Sequence, residues 1–179
     1  MMNGDARCAW WPEGIESYVM ERQLSKVLER WSKRLRAAIF PAMFSHETQV
    51  RVRYGETDQM GYVYYGDYAE YFEVGRVEAL RSLGFAYKRL EEEGVMLPVR
   101  ELHVTYHQPA RYDDLLTLRT IILQQPSVRI VFNYEVRNEA GVLLCEASTM
   151  LVFVDRATMR PCRAPEAFLE AMARHFSDH

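Results

Sequence analysis

Between residues 47 and 54, Thr48, Val50, Val52 and Tyr54 alternate with Glu47, Gln49, Arg51 and Arg53. A period of two places the two sets on opposite sides of an extended chain, which predicts a strand with one buried face. Over residues 63–83 the period lengthens. Tyr65, Tyr68, Phe72, Gly75, Ala79 and Leu83 fall along one helical stripe, and Gly84 supplies a C-terminal stop, so this stretch predicts one long central helix. Gly75 inside the stripe costs about 1 kcal/mol of helix propensity relative to alanine, and close approach to a sheet gives it a reason. Residues 85–94 predict a short charged helix or loop. Alternation returns over 99–106, with Leu102, Val104 and Tyr106 opposite Glu101, His103 and Thr105, before Pro109 stops it. Three more strands, 115–123, 128–136 and 142–154, are divided by Pro126 and by the hairpin signal Asn138-Glu139-Ala140-Gly141. Pro161 and Pro165 introduce a last helix, 165–176.

The order is strand, long helix, then four strands in a largely meandering run. Short hairpins favour antiparallel pairing, and one long helix on one face of such a sheet is an α+β arrangement. Upstream, residues 1–12 carry no periodicity despite Trp10-Trp11-Pro12. Residues 15–39 place Leu24, Val27, Leu28, Trp31, Leu35, Ala38 and Ile39 at helical spacing, which predicts an amphipathic helix ended by Pro41. Glu16, Glu21 and Glu29 interrupt its basic face, so packing on the domain or a partner is favoured over an anionic lipid surface. The chain thus divides into an N-terminal extension, 1–43, and a main domain, 44–179. Met43 stands just before the first strand, so the native protein is hypothesised to begin there, which mass spectrometry of its N-terminus would test.

With 179 residues and 49% hydrophobic content the chain can bury a full core. A net charge of −3 and a pI near 6.0 argue against a general nucleic-acid binder. Three widely spaced cysteines, Cys8, Cys145 and Cys162, suggest neither a disulfide framework nor a zinc knuckle and fit a reducing cytoplasm. No apolar run approaches the roughly 18–20 residues that cross a bilayer, so no stable membrane insertion is expected.

Chemistry concentrates in the turn from Gly55 to Tyr68, where Glu56, Thr57 and Asp58 precede Gly61 and an aromatic run. On spacing alone Asp58 reads as an N-cap or first-turn acid, a structural role generally contributing about 1 kcal/mol. Glu56 is second as a candidate acid, with Arg51 or Arg53 as partners, and Thr57 suits a backbone bond. Glu73 and Arg76 are spaced to pair on the helix. His103 and His107 share a strand face without a third metal ligand. Cys145 and Cys162 look like core or surface thiols, and Tyr62, Tyr64, Tyr65 and Tyr68 like core and interface aromatics, one or two of which line a pocket.

The segment from Tyr54 to Tyr68, followed by Glu70-Tyr71-Phe72-Glu73-Val74-Gly75-Arg76, resembles the opening motif of the hotdog-fold acyl-CoA thioesterases of the 4-hydroxybenzoyl-CoA thioesterase and Tol-Pal-associated thioesterase group. The resemblance continues through Gln108-Pro109-Ala110-Arg111-Tyr112-Asp113-Asp114-Leu115 and again from Val154-Asp155 to Met159-Arg160-Pro161. It implies a five-stranded antiparallel sheet wrapped around the central helix, and a homodimer or homotetramer with the acyl group bound between subunits. It further implies hydrolysis of acyl-CoA with no metal or other cofactor. The family's catalytic aspartate falls on Asp58, and its carbonyl-polarising amide falls near Tyr65, a position that is histidine in some members. Asp67 stands where asparagine is common.

A thioester carbonyl needs a nucleophile or activated water and a donor for the developing oxyanion. Asp58 suits the first role, as nucleophile or as general base. Unpaired amides in the first helical turn suit the second. Gly61, Tyr62 and Tyr64 are expected to border the substrate. Arg129 and Arg160, with Arg156 and Arg163 as further candidates, are expected to reach the phosphates of coenzyme A. Two alternatives remain open: a hotdog module that binds acyl-CoA without hydrolysing it, and a hydratase on the same fold, for which no His-plus-acid signature is placed.

Overall fold

A computed structural model of the chain describes residues 43–176. The extension helix expected over 15–39 lies outside them. In chain order the elements are β1 (Phe44–Arg51), α1 (Tyr68–Ser82), α2 (Tyr87–Glu92), β2 (Val95–Met96), β3 (Val99–Tyr106), β4 (Leu115–Ile122), β5 (Arg129–Arg137), β6 (Leu143–Val152), β7 (Val154–Asp155) and α3 (Glu166–Phe176). Short 3₁₀ turns stand at Tyr54–Glu56 and Tyr65–Asp67.

The five long strands form one antiparallel sheet in the order β1-β4-β5-β6-β3, with β2 and β7 paired separately. Strands β4, β5 and β6 are the expected meander. The turn between β5 and β6 is closed by the Val142 N–H, which donates to the Asn138 side-chain oxygen at 3.0 Å, and by Gly141 at φ +76°. Strands β1 and β3 flank α1 in sequence but occupy opposite edges of the sheet, so the chain crosses the sheet between them. Helix α1 packs chiefly on β1 and β4.

The core is apolar and continuous. Tyr71, Phe72, Ala79 and Leu80 of α1 meet Leu116, Leu118, Ile130, Phe132, Tyr134 and Val136 of the sheet, while Phe168 and Met172 of α3 join from the side. Phe72 stacks on Tyr134 with centroids 4.8 Å apart. The close approach expected at Gly75 is present: a Cβ there would stand 2.7 Å from Thr120 Oγ1. That approach also draws Arg76 inward, to 7% exposure, although its sequence partner Glu73 stays at the surface and bonds it at 3.1 Å.

Two boundaries differ from the sequence pattern. The first strand ends at Arg51, and Tyr54, expected on its buried face, lies in a 3₁₀ turn at 80% exposure. Beyond Arg51 the ladder partner is gone: Val52 bonds Asp114 and Asp113 through the backbone, and the Glu56 N–H turns back to the Arg53 carbonyl. The central helix begins at Tyr68, five residues later than the apolar stripe suggests. Tyr64 is extended (φ −59°, ψ 133°), and its N–H and that of Val63 bond across the loop to Glu56 and Ala110. The first bond back along the chain is the 3₁₀ bond from the Asp67 N–H to the Tyr64 carbonyl, so the α-helix cannot begin at Val63. Among the described residues, no helix is long and apolar enough to cross a membrane.

Candidate active site

The turn between β1 and α1 is held by bonds at both ends. Glu56 is its inner anchor: Oε2 accepts the Arg53 N–H at 2.7 Å and the Tyr71 hydroxyl at 2.7 Å, and Oε1 faces Arg53 Nη1 at 3.4 Å. The pairing with Arg53 expected from sequence is therefore present, and it leaves the Glu56 carboxylate engaged. Thr57 donates its hydroxyl to the Tyr54 carbonyl at 2.9 Å, the backbone role foreseen for it. Thr57 and Val63 then bridge across the loop.

Asp58 lies at the tip of this loop. Its N–H donates to the Tyr62 carbonyl, its carbonyl accepts the Gly61 N–H, and its Oδ1 accepts the Met60 N–H at 2.8 Å. One carboxylate oxygen is thereby fixed, and Oδ2 has no protein partner among the described residues. The turn requires a residue with positive φ, which Gly61 supplies at +77° with open space around it.

Beyond the loop, the 3₁₀ turn opens with two amides that precede its first internal bond, from the Asp67 N–H to the Tyr64 carbonyl. The N–H groups of Tyr65 and Gly66 have no acceptor among the described residues. These donors fall where helix-start amides were expected, though on the turn leading into α1 and not on α1 itself. Tyr64 and Tyr65 are exposed, with ring centroids 4.4 Å apart, so both belong to the rim of this site and not to the core of the chain. Tyr62, partly buried, reaches Met60 Sδ through its hydroxyl at 3.0 Å. Of the tyrosines from Tyr62 to Tyr71, Tyr68 and Tyr71 enter the core. Burial pushes the Tyr68 hydroxyl up to about 12, and burial followed by the bond to Glu56 pushes Tyr71 higher still.

Sequence reasoning missed Tyr106. From the end of edge strand β3 its hydroxyl donates to the Tyr65 carbonyl at 2.8 Å, and its ring meets Tyr68 edge-on at 5.2 Å. The period-two pattern put Tyr106 on the apolar face, but only the sheet order brings that face to the start of the helix.

The arginines are elsewhere. Arg129 opens β5 and Arg160 follows β7, while the acidic turn lies against the β4 start and the β3 end. The nine residues of β5 span about 26 Å, so within one chain the structure does not bring these arginines to Asp58. Arg156 is occupied near α2, its guanidinium donating to the Glu91 carbonyl at 3.4 Å, and Arg163 is exposed. His107 pairs with Glu146 at 2.8 Å, and His103 faces Glu101 at 3.9 Å. Among the described residues, no group of three or more His, Cys, Asp or Glu side chains is disposed to hold a metal ion. Cys145 is buried, and burial pushes its thiol up to about 12, the state of a core residue and not of a nucleophile.

Comparison with known proteins matches the chain to one family. The model of the thioesterase-like superfamily matches residues 52–172, a span that includes the acidic turn, α1 and the whole meander. An acyl-CoA thioester hydrolase, YbgC, of Escherichia coli O6:H1 is 37% identical over 120 residues, covering 67% of this chain and 90% of that protein. The acyl-CoA thioesterase YbgC of Haemophilus influenzae is 33% identical over 118 residues, 65% of this chain and 86% of its own. The crystal structure of a DHNA-CoA thioesterase from Staphylococcus aureus superposes with a TM-score of 0.70 at 34% identity, covering 73% of this chain and 89% of that one. With its five-stranded antiparallel sheet and central helix, the chain belongs to the thioesterase-like, hotdog-fold superfamily.

Proposed function

We propose that this protein hydrolyses acyl-CoA thioesters to a free carboxylic acid and coenzyme A, with Asp58 as the reacting acid. The observation that carries the reading is the presence, on the one connection between β1 and α1, of a carboxylate with one oxygen fixed and one free and of two amides without acceptors. Oδ2 of Asp58 either attacks the thioester carbon, expelling the thiolate and leaving a mixed anhydride for water to open, or takes a proton from the attacking water. In both routes water supplies the oxygen of the product acid and the proton of the product thiol. The carbonyl oxygen becomes negative in the tetrahedral intermediate, and the Tyr65 and Gly66 N–H groups are the donors suited to it. The names of the relatives, acyl-CoA thioester hydrolase and acyl-CoA thioesterase, support the substrate class.

The working unit in this reading is a homodimer, or a pair of dimers. Strand β3 is a sheet edge, and Val99, Leu102 and Tyr106 are exposed along it. Such an edge invites a partner strand. Antiparallel pairing of two β3 edges about a two-fold axis would turn the second copy end for end, so that its Arg129 and Arg160 approach the first copy's Asp58. That arrangement accounts for phosphate-binding arginines at the far end of the chain's own sheet, and it places Gly61, Tyr62 and Tyr64 beside the acyl group at the junction. Asp58→Asn is the direct test. It preserves the turn, because the amide oxygen still accepts the Met60 N–H, and thiol release from acyl-CoA is expected to fall at least about a hundredfold. Turnover equal to wild type would overturn the assignment.

A further inference from the structure

Tyr106 stands 41 residues from the residue it bonds, at the point where the edge strand reaches the two acceptor-free amides. We propose that Tyr106 is a positioning residue for the hydrolysis, its hydroxyl holding the Tyr65–Gly66 peptide so that the N–H groups of Tyr65 and Gly66 stay aligned on the thioester oxygen. This rests on the role given above to Asp58 and the turn amides.

The argument is geometric. A trans peptide is planar, with its C=O and N–H pointing in opposite directions, so a bond that fixes the Tyr65 carbonyl also fixes the direction of the Gly66 N–H. Accepting a hydrogen bond at the carbonyl polarises the peptide as well, which makes the N–H on its other side a stronger donor. The peptide that carries the Tyr65 N–H is fixed independently, because its Tyr64 carbonyl accepts the Asp67 N–H at 3.0 Å, and the peptide before it is held by the Tyr64 N–H, which donates to the Glu56 carbonyl at 2.9 Å. Tyr106 therefore closes the last free side of the donor pair. Its own placement is firm: its backbone pairs with buried Cys145 in the sheet, and its ring packs on buried Tyr68. Burial, with smaller contributions from Cys145 and Tyr65, raises the pKa of the hydroxyl above the ordinary tyrosine value, so it remains a donor throughout the neutral range.

Tyr106→Phe removes the hydroxyl and keeps the ring against Tyr68. Wild type, Tyr106→Phe and Asp58→Asn are assayed for thiol release from acetyl-, octanoyl- and benzoyl-CoA. Tyr106→Phe is expected to lower kcat about tenfold with KM changed less than about twofold and with an unchanged urea midpoint, since donor alignment acts on the transition state more than on binding. The second readout is infrared: benzoyl-CoA labelled with carbon-13 at the thioester carbonyl is bound to Asp58→Asn and to Asp58→Asn/Tyr106→Phe. The downshift of the carbonyl stretch in the first protein is expected to shrink in the second, a change that a purely structural role of the hydroxyl would not produce. An inactive Asp58→Asn beside a Tyr106→Phe of wild-type kcat, or an identical carbonyl stretch in the two bound proteins, overturns the inference and leaves the functional reading standing. Full turnover by Asp58→Asn, or no turnover of any of the thioesters by wild type, overturns the reading and the inference with it.

Discussion

Tyr71→Phe isolates the bond that ties the acidic turn to α1. In the wild-type chain the hydroxyl donates to Glu56 Oε2 at 2.7 Å, and the same oxygen takes the Arg53 N–H at 2.7 Å. A hydrogen bond to a charged group contributes about 1.5–3 kcal/mol. Glu56 is 12% exposed at its side chain, so water replaces the lost donor poorly, while the Arg53 N–H and guanidinium remain. The phenylalanine ring keeps its contact with Tyr68, now at 5.7 Å between centroids. The lower half of the range applies, about 1.5–2 kcal/mol of destabilisation. With a urea slope of about 1–3 kcal/mol/M, the midpoint should drop by about 0.5–2 M with the slope unchanged. The pH dependence carries a second signature. The folded pKa of Tyr71 is raised, so its stabilising contribution is complete below the unfolded value of 10.0 and is lost as pH rises above it. The difference between wild type and Tyr71→Phe should therefore be constant from pH 7 to about 9.5 and narrow beyond 10. A midpoint shift worth less than about 0.5 kcal/mol at pH 7 would mean that Glu56 is fully solvated when Tyr71 is absent, and would refute the claim that this bond anchors the turn.

Gly75→Ala gains about 1 kcal/mol of helix propensity, yet it drives a methyl group to 2.7 Å from Thr120 Oγ1, on a stiff and fully buried side chain; the net expectation is a loss of about 1 kcal/mol, visible as a melting temperature lower by about 3 °C. Adding Thr120→Ala should recover most of that loss, and additive single effects would refute the contact. Mixing inactive Asp58→Asn with a phosphate-site variant, Arg129→Glu/Arg160→Glu, should restore about a quarter of wild-type activity if each site draws its acid from one copy and its arginines from the other. In native protein carrying Cys8→Ser, a thiol reagent at pH 8 should label Cys162 and spare Cys145 until denaturant is added, as the burial and raised pKa of Cys145 require.

Strands β1, β4 and β5 were legible because each alternates between a more and a less buried face, whereas edge strand β3 is exposed along nearly its whole length, so its apolar–polar alternation does not report burial within the chain. Tyr54 shows where that logic stops: the alternation runs on past Arg51, but the backbone leaves its partner strand there, and periodicity carries no information about pairing. The late start of α1 has the same origin, since tertiary bonds to Ala110 and Glu56 hold Val63 and Tyr64 across the loop, with Tyr64 extended. Within the candidate site, the turn itself showed an acid and a glycine at Asp58 and Gly61, whose capped N–H and positive φ fall within four consecutive residues. On spacing alone, however, Asp58 read as a helix-start acid, and the role proposed for it came from the family resemblance. The roles of Tyr71 and Tyr106 were not legible. Their partners lie 15 and 41 residues away: Tyr71 meets Glu56 only when α1 folds back on the turn, and Tyr106 meets Tyr65 only once β3 has taken its place at the sheet edge. The pairing of Glu73 and Arg76 was legible from their spacing, but not that Arg76 would be buried while Glu73 stays outside.

The sheet order β1-β4-β5-β6-β3 sets a timetable for synthesis. Strand β1 pairs with β4, from Phe44 opposite Ile122 to Arg51 opposite Leu115, so the first strand made waits for one completed 71 residues after its own end. At about 5–20 residues per second, β1 waits roughly 4–14 s, and the apolar face of α1 roughly 2–8 s, before β4 is complete and can receive them. Strands β4, β5 and β6 need only hairpin closures and can form as soon as they emerge. The acidic turn lies between the earliest strand and the helix, so it reaches its final shape only after Val52 and Val63 find Asp114 and Ala110, made well after the turn itself.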